Sequence, residues 1–328
     1  MKFLTTVTGS YPRQIVQKDT LRKPSVSEEE AIEMVKWASK EQANLGLDII
    51  TDGESRRLDG YVDSYYAKIE NIVPLPVGRI GGPWGYDQQQ RYQAVGEITA
   101  PGGLGIVSEF TYLKENTDLM TKVTCAGPLT FGSRIGPGDA YDGPVAVAEQ
   151  FAEVINAELK DLVKAGANYI QIDEPARGNL GGKDMARLFN LATDGVDAKL
   201  AYHICFGNRY GRARFKRHYS DYFPEILEAK ADQFVVEFAA REMYEVEKFA
   251  EWRDGREIGA GVVDVKSFHP ESSDDVVDRI REVLKYVPAD KLYVNPDCGF
   301  GWSPRYMSIP KLNALVSAAS KIRSEISK

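Results

Sequence analysis

The chain has 328 residues, 43% of them hydrophobic and 27% charged, which is the composition of a folded globular protein rather than a disordered one. Its 41 basic and 48 acidic residues give a net charge of −7, which argues against a protein whose main task is to bind nucleic acid. The N-terminus has no signal-peptide core and no run of about 18 apolar residues occurs, so we expect a cytoplasmic protein without a membrane span.

Strand-like and helix-like segments alternate along the whole chain. Apolar, β-branched runs predict eight strands; in chain order they are FLTTVTG (3–9), LDIIT (47–51), TKVTCAG (121–127), NYIQID (168–173), KLAYHIC (199–205), QFVVEF (233–238), IGAGVVDV (258–265) and KLYVNP (291–296). Strands that alternate with helices form right-handed βαβ units around a parallel sheet. Eight such units predict an α/β fold, a single (β/α)8 TIM barrel over residues 1–328.

Three segments between these strands carry clear helix-end signals. The segment 25–46 begins with a serine N-cap (Ser25 or Ser27), has glutamates in its first turn and ends at a glycine. The segment 144–166 starts with proline and ends with glycine, and the segment 272–287 starts with serine and aspartate. These signals predict three amphipathic helices.

Two irregular stretches interrupt the alternation. Residues 56–119 are too long for an ordinary loop, so we predict an insertion that carries a hairpin at RYQAVGEIT (91–99) and a helix. Residues 206–222 contain a basic run with aromatic residues interleaved, made of Arg209, Arg212, Arg214, Lys216 and Arg217. This run is either a solvated loop or a docking patch for an acidic partner or for the anionic tail of a ligand. Both stretches follow strand ends, so in a barrel they would cover the face that carries active sites.

Residues with reactive side chains lie at the end of every predicted strand or directly after it. They are Ser10, Asp52, Glu54, Cys125, Asp173, Glu174, His203, Cys205, Glu237, Asp264, Lys266, Asp297 and Cys298. A doubly wound sheet would concentrate ligand-binding groups at a switch point, whereas a barrel distributes them over all of its strands. This distribution favours the barrel.

The pair His203 and Cys205 is a candidate for half of a metal site. Residues i and i+2 of a strand point to the same face and lie about 6.6 Å apart along its axis, so both side chains can reach one ion. An isolated pair of this kind is more often core packing. Glu237 and Cys298, at the ends of later strands, make a metal site the stronger interpretation, whereas Cys125 fits a small buried hydrophobe better.

The proposed ligand set indicates a chemistry. One histidine, two cysteines and one glutamate suit Zn²⁺, and such a centre would carry about one net negative charge. It would be poorly suited to activating water and better suited to holding an incoming thiol as a thiolate. The sequence therefore predicts alkyl transfer to sulfur.

Six segments of the chain resemble a known family. TTVTGSYPR, DIITDGE, QIDEPA, HIC, VVEFA and VNPDCGF are similar, in this order, to signature segments of the catalytic C-terminal barrel of cobalamin-independent methionine synthase and its single-barrel relatives. The resemblance covers nearly the whole chain. It implies a TIM-barrel, zinc-dependent methyltransferase that makes methionine from homocysteine.

The resemblance also implies roles for individual residues. By matching position, the zinc ligands would be His203, Cys205, Glu237 and Cys298. Ser10 would meet the carboxylate of homocysteine, and two further residues would hold its ammonium group, Glu54 and Asp173. The charges of these groups agree with such roles.

The residues of the predicted substrate pocket also have simpler interpretations. Asp173, followed by Glu-Pro, can end a strand and cap a helix, and Glu54 can be an ordinary loop acid. Arg13, just after GSYP in the first motif, binds either an anionic substrate group or a neighbouring acid. The sequence leaves these alternatives open.

Two departures from the long members of the family concern the methyl donor. The chain has no counterpart of their N-terminal barrel, which helps to bind a polyglutamylated folate. Lys266 stands where they have a histidine thought to help protonate the departing folate, and His269 can replace that histidine only if its loop turns inward. The resemblance to short members therefore implies a methyl-corrinoid or a corrinoid protein as donor, with methyltetrahydrofolate as the alternative.

Two other functions stay open at this point. The acceptor thiol can be a different one, such as coenzyme M, which related single-barrel enzymes alkylate, dealkylate or use to open epoxides. The chain can also be a non-catalytic subunit that binds a corrinoid protein or stores zinc. Glu54 and Asp173 favour an acceptor that bears an ammonium group.

Overall fold

The structure is a computed structural model. It describes residues 3–13, 27–57, 61–76, 78–80, 87–175, 180–208, 211–213, 218–250, 255–301 and 303–327. Most of the basic run predicted at 209–217 therefore lies outside the described residues.

The described part of the chain alternates strands and helices as the sequence predicts. The strands are β1 Leu4–Thr5, β2 Ile49–Ile50, β3 Glu70–Pro74, β4 Gly78–Ile80, β5 Asp87–Gln89, β6 Tyr92–Thr99, β7 Met120–Thr121, β8 Val123–Ala126, β9 Ile135–Gly136, β10 Tyr169–Asp173, β11 Lys199–Ile204, β12 Gln233–Glu237, β13 Glu257–Val263 and β14 Leu292–Pro296. The α-helices are α1 Glu28–Leu45, α2 Asp63–Tyr66, α3 Ile106–Glu115, α4 Pro128–Gly132, α5 Pro144–Lys164, α6 Gly182–Thr193, α7 Ser273–Leu284 and α8 Arg305–Ile326. Short 3-10 helices lie at Tyr219–Asp221, Glu225–Glu228, Ala239–Arg241 and Val246–Ala250. None of these helices is long and apolar enough to cross a membrane.

Parallel strands form the wall of a barrel. Seven of them make one sheet in the order β1-β14-β13-β12-β11-β10-β8. β2 lies between the two edges of this sheet, because Ile49 pairs in parallel with Thr6 after β1 and with Met120 of β7, which leads into β8. Each of the eight predicted strands thus contributes to the wall, and the predicted TIM-barrel fold is confirmed.

The helix ends follow from local sequence. Ser27 forms a capping box with Glu30 at the start of α1, and Gly46 ends this helix in the left-handed conformation at φ 85°. Ser272 forms the same arrangement with Asp275 at the start of α7. The three predicted helices are confirmed, and their apolar faces pack on the outside of the strands.

The barrel interior changes from apolar to polar along the strands. Successive side chains of a strand point alternately outward and inward, so one inward-facing row of β10 contains Tyr169, Gln171 and Asp173. The corresponding row of β11 contains Ala201 and His203. Apolar side chains from five strands pack together inside: Ile49, Tyr169, Ala201, Val235 and Tyr293. The polar groups that follow them in each row therefore face the carboxyl-terminal mouth of the barrel.

The segment between β2 and β7 forms a small subdomain beside this mouth. β3 pairs antiparallel with β6, and β6 also pairs in parallel with β9. The hairpin predicted at 91–99 is wrong, because Tyr92–Thr99 form one continuous strand, β6, whose antiparallel partner is β3. The helix predicted for the insertion is present as α3. Glu158 of α5 is buried and accepts hydrogen bonds from three backbone N–H groups around the start of α3, those of Leu104 (2.6 Å), Ile106 (2.7 Å) and Val107 (3.1 Å). One carboxylate thus anchors the insertion to the barrel helices.

Replacing Glu158 by alanine should loosen this anchor. The substitution leaves three N–H groups without their acceptor, so we expect the free energy of unfolding to fall by about 3 kcal/mol. Urea unfolding measures the loss, and faster hydrogen exchange should concentrate in residues 104–115. Glu153→Ala, at an exposed position of the same helix, is the control and should change neither quantity. Equal effects of the two substitutions would show that Glu158 does not anchor the insertion.

Candidate active site

Three side chains of metal-binding type converge at the mouth of the barrel. His203 and Cys205 lie at the end of β11, Cys298 follows β14, and their ligand atoms all lie within 4.8 Å of one another. The Sγ atoms of Cys205 and Cys298 are 3.9 Å apart. This group can hold a metal ion, because imidazole and thiolate ligands meet around a single point.

The imidazole of His203 is oriented for such a role. Its Nδ1 hydrogen-bonds the carbonyl oxygen of Val235 at 3.0 Å on the neighbouring strand. Its Nε2 is buried and has no hydrogen-bond partner in the described part of the chain. A buried polar atom without a partner is costly, and a metal-binding histidine uses one nitrogen for a backbone carbonyl and the other for the ion. The residues present therefore fit a metal ion.

The fourth predicted ligand, Glu237, lies at the end of β12. It is fully buried, but it is outside the group of three whose ligand atoms lie within 4.8 Å. Its Oε2 is 2.8 Å from Nζ of Lys266, and its Oε1 is buried without a hydrogen-bond partner among the described residues. Oε2 of Glu237 thus contacts a cation, and Oε1 has no hydrogen-bond partner among the described residues.

The two thiols of the group have unequal acidity. The hydrogen bond between them lowers the pKa of Cys298 well below that of a free thiol and raises the pKa of Cys205. The imidazole of His203 lowers the pKa of Cys298 further. The site thus favours one thiolate beside a neutral thiol before any ion binds.

Glu54 lies in the turn after β2 and is buried. Its Oε1 accepts a hydrogen bond from the hydroxyl of Thr124 at 3.1 Å and lies 3.3 Å from Nη1 of Arg57. Burial raises the pKa of Glu54 to about 7, and the charge of Arg57 opposes part of that rise. Its backbone φ of 54° is left-handed, which is uncommon outside glycine, and a Cβ at Gly9 would lie 2.5 Å from Oε1. These contacts therefore restrict the position of the Glu54 carboxylate.

Asp173, at the end of β10, is held by a neighbour at each oxygen. The hydroxyl of Tyr61 donates to Oδ2 at 2.6 Å, and the amide of Gln171 donates to Oδ1 at 2.6 Å. Burial raises the pKa of Asp173. The adjacent Glu174 points elsewhere and accepts hydrogen bonds from the backbone N–H of Leu129 and from the hydroxyl of Thr130 at the start of α4. Asp173 is thus an oriented carboxylate at the barrel mouth.

Ser10 lies where the first strand meets the loop after the last one. Its Oγ accepts a hydrogen bond from the N–H of Gly301 at 2.9 Å, and its carbonyl oxygen accepts one from the N–H of Phe300 at 2.9 Å. A Cβ at Gly299 would lie 2.1 Å from Oγ of Ser10, so only glycine fits there. Because Gly299 directly follows Cys298, Ser10 is packed against the loop that carries Cys298.

The three residues predicted for the donor side have different surroundings. Arg13 donates from Nη2 to the carbonyl oxygen of Arg57 at 2.6 Å, and its Nε is buried without a partner in the described residues. Lys266 forms the ion pair with Glu237. His269 is exposed on the loop after β13, and its carbonyl oxygen accepts a hydrogen bond from Lys311. The described loop does not turn His269 inward.

The structure adds three residues that the sequence analysis does not single out. Arg57 is 1% exposed and contacts both Glu54 and Glu109, and Gln171 and Tyr61 hold Asp173. Gln171 is two positions before Asp173 and shares its strand face, which is a signal in the sequence. Tyr61 comes from the insertion, and nothing in the sequence indicates which strand end it reaches.

Comparisons with known proteins agree on one family. The model of a family described as "Cobalamin-independent synthase, Catalytic domain" matches residues 3–321. The methionine synthase of Pyrococcus abyssi is 33% identical over 336 residues, which cover 99% of this chain and 94% of that protein. The methionine synthase of Saccharolobus solfataricus is 32% identical, with coverages of 98% and 95%.

Solved structures lead to the same fold. A B12-independent methionine synthase from Shewanella sp. W3-18-1, in complex with selenomethionine, is similar with a TM-score of 0.83 and 25% identity over 99% of this chain and 98% of that one. A methyltransferase from Methanosarcina mazei has a TM-score of 0.61 at 15% identity, with coverages of 90% and 87%. The second likeness shows the fold alone.

The metal-binding group can be tested by metal content. Purified protein should contain about one divalent metal ion per chain, and both His203→Ala and Cys298→Ser should lose it or bind it weakly. Elemental analysis after gel filtration measures the ratio. Cys125→Ala is the matched control, because this third cysteine is buried outside the group. Unchanged metal content in both ligand variants would contradict the assignment.

Proposed function

Because the chain belongs to the family of cobalamin-independent methionine synthases, we propose that it is a zinc-dependent methyltransferase that methylates the thiol of homocysteine and releases methionine. The observation that carries this proposal is the convergence of His203, Cys205 and Cys298 at the same barrel mouth as Glu54 and Asp173. The histidine and the two cysteines suit a metal-bound thiol, and the two carboxylates suit an ammonium group. Homocysteine has both.

In this proposal zinc is held by His203, Cys205, Cys298 and Glu237. Zinc supplies one chemical effect, which is to keep the acceptor thiol as a thiolate at neutral pH. The unpartnered Nε2 of His203 and the unpartnered Oε1 of Glu237 support this ligand set, because a cation would satisfy both buried atoms.

The amino-acid end of homocysteine is bound by the other cluster. Glu54 and Asp173 attract the ammonium group, while the hydroxyl of Ser10, which accepts a hydrogen bond from the N–H of Gly301, donates to the carboxylate. The selenomethionine in the Shewanella structure, an analogue of the product, supports a pocket for such an amino acid in the family. With the thiol and the amino-acid end of homocysteine both held, its sulfur attacks the methyl carbon in line with the bond that breaks. The bond from methyl to donor breaks, and its electron pair stays with the donor.

The donor in this proposal is a methyl-corrinoid, delivered as a second substrate. Methyl transfer from a folate leaves a nitrogen that needs a proton, and the described residues at the donor side offer no free acid for it. Lys266 is engaged with Glu237, and His269 is exposed. Departure of a corrinoid needs no proton, which favours it over methyltetrahydrofolate.

The donor can be identified in single-turnover reactions. Zinc-loaded protein with homocysteine should form methionine from methylcobalamin and not from methyltetrahydrofolate. Mass spectrometry of the product measures the outcome, and Cys298→Ser, which lacks one proposed ligand, is the control. If methionine forms from methyltetrahydrofolate alone, the folate and not the corrinoid is the donor. If methionine forms from neither compound, the proposed activity is contradicted.

The acceptor can be identified by calorimetry with competing thiols. Zinc-loaded protein should bind homocysteine, and Asp173→Asn should weaken this binding at least about tenfold because a charge-assisted hydrogen bond to the ammonium group is lost. Coenzyme M carries a sulfonate and no ammonium group, so it should bind poorly to the wild-type protein. Tight binding of coenzyme M alone would overturn the assignment of homocysteine.

The pKa of Glu54 predicts a pH dependence for the KM of homocysteine. Above pH 7 the carboxylate is charged and attracts the ammonium group; as the pH falls through about 7 it takes up a proton and the KM rises. Glu54→Gln should raise the KM about tenfold at pH 8 and flatten its rise between pH 8 and pH 6, with little change in kcat.

Steady-state kinetics from pH 6 to pH 8 measures both effects of this substitution. Glu97→Gln, at an exposed position of the insertion, is the control and should keep the wild-type profile. If the Glu54→Gln variant keeps the wild-type KM at every pH, Glu54 does not bind the ammonium group.

A further inference from the structure

A lysine lies beside the candidate metal ligands. Nζ of Lys266 is 2.8 Å from Oε2 of Glu237, and the two side chains are 8% and 0% exposed. The backbone N–H of Lys266 donates to Oδ1 of Asp264 at 2.7 Å, which holds the loop after β13 in place. The ion pair is thus both buried and anchored.

The partner of this lysine is a proposed metal ligand. Oε2 of Glu237 contacts the ammonium group of Lys266, and Oε1 of Glu237 is buried without a hydrogen-bond partner among the described residues. The ion pair therefore places a basic side chain next to the group that is proposed to bind a dication.

We infer that Lys266 is a built-in substitute cation that stabilises the metal-free site and thereby weakens metal binding. The inference rests on the proposed metal centre. Lys266 is a positioning residue in this role, because it acts through Glu237.

The argument compares the two states of the site. Without metal, removal of Lys266 leaves the buried charge of Glu237 uncompensated, which is strongly unfavourable. With metal bound, the dication supplies positive charge, so the same removal costs less. A change that destabilises the metal-free state more than the metal-bound state must strengthen metal binding.

Chelator competition measures this effect directly. Full-length Lys266→Met, titrated with zinc against a chromogenic chelator, should bind the ion about tenfold more tightly than wild type. The rise in Tm between EDTA-treated and zinc-loaded protein should also be larger in the variant. Lys266→Arg keeps the charge and should behave like wild type in both measurements.

Two further variants separate the ion pair from general effects. If Lys266 acts through Glu237, then adding Lys266→Met to Glu237→Gln should change the zinc affinity little relative to Glu237→Gln alone. Lys311→Met removes another buried lysine, one that pairs with Glu271 near the same loop, and should lower the Tm without changing the zinc affinity. The double variant of Lys266→Met and Glu237→Gln lacks both charges of the ion pair. It should therefore fold and allow the measurement even if Lys266→Met alone does not fold.

Unchanged or weaker zinc binding by Lys266→Met would overturn the inference, since weaker binding would mean that the lysine only orients Glu237 as a ligand. An equal gain in affinity with Lys311→Met would overturn it as well. A wild-type protein that binds no zinc would overturn the proposed metal centre together with this inference. Metal bound with equal affinity in wild type and Lys266→Met would overturn the inference alone.

Discussion

A charge inside a barrel needs a compensating partner, and the mouth of this barrel depends on that requirement. Burying an ionised group without a partner costs several kcal/mol, yet the site needs carboxylates, thiols and an imidazole in one enclosed space. Some of these groups are compensated by an opposite charge: Arg57 meets Glu54, and Lys266 meets Glu237. Others are held by neutral partners: Nζ of the buried Lys122 donates hydrogen bonds to the oxygens of Val7 and Gln171.

These pairings also orient the groups that are proposed to act on the substrate. Asp173 is held at both oxygens, and Glu54 is held by a threonine and an arginine, so neither carboxylate has to reorganise when an ammonium group arrives. The contact of Ser10 with the glycines after Cys298 joins the proposed amino-acid pocket to the metal-binding group. In the proposed function, the two ends of homocysteine are thus held at a fixed separation.

The alternation of side chains along each strand explains why the sequence predicts the strands and the location of the site. The period of two places Asp173, His203 and Cys205 on inward-facing rows, and parallel strands bring their carboxyl ends to one mouth. The capping residues Ser27 and Ser272 likewise act on their own helices. Strand positions, helix ends and the location of the site follow from such local rules.

The sequence by itself determined the barrel, its polar mouth and the candidate ligands, because these depend on periodicity and on residue type at strand ends. Only the tertiary structure decided which groups meet across the barrel. The contact of Tyr61 with Asp173 joins an insertion to a strand 112 positions away, and that of Lys266 with Glu237 joins two neighbouring strand ends. Such contacts depend on how loops fold over the mouth, and side-chain charge alone does not specify a partner when several acids lie within reach.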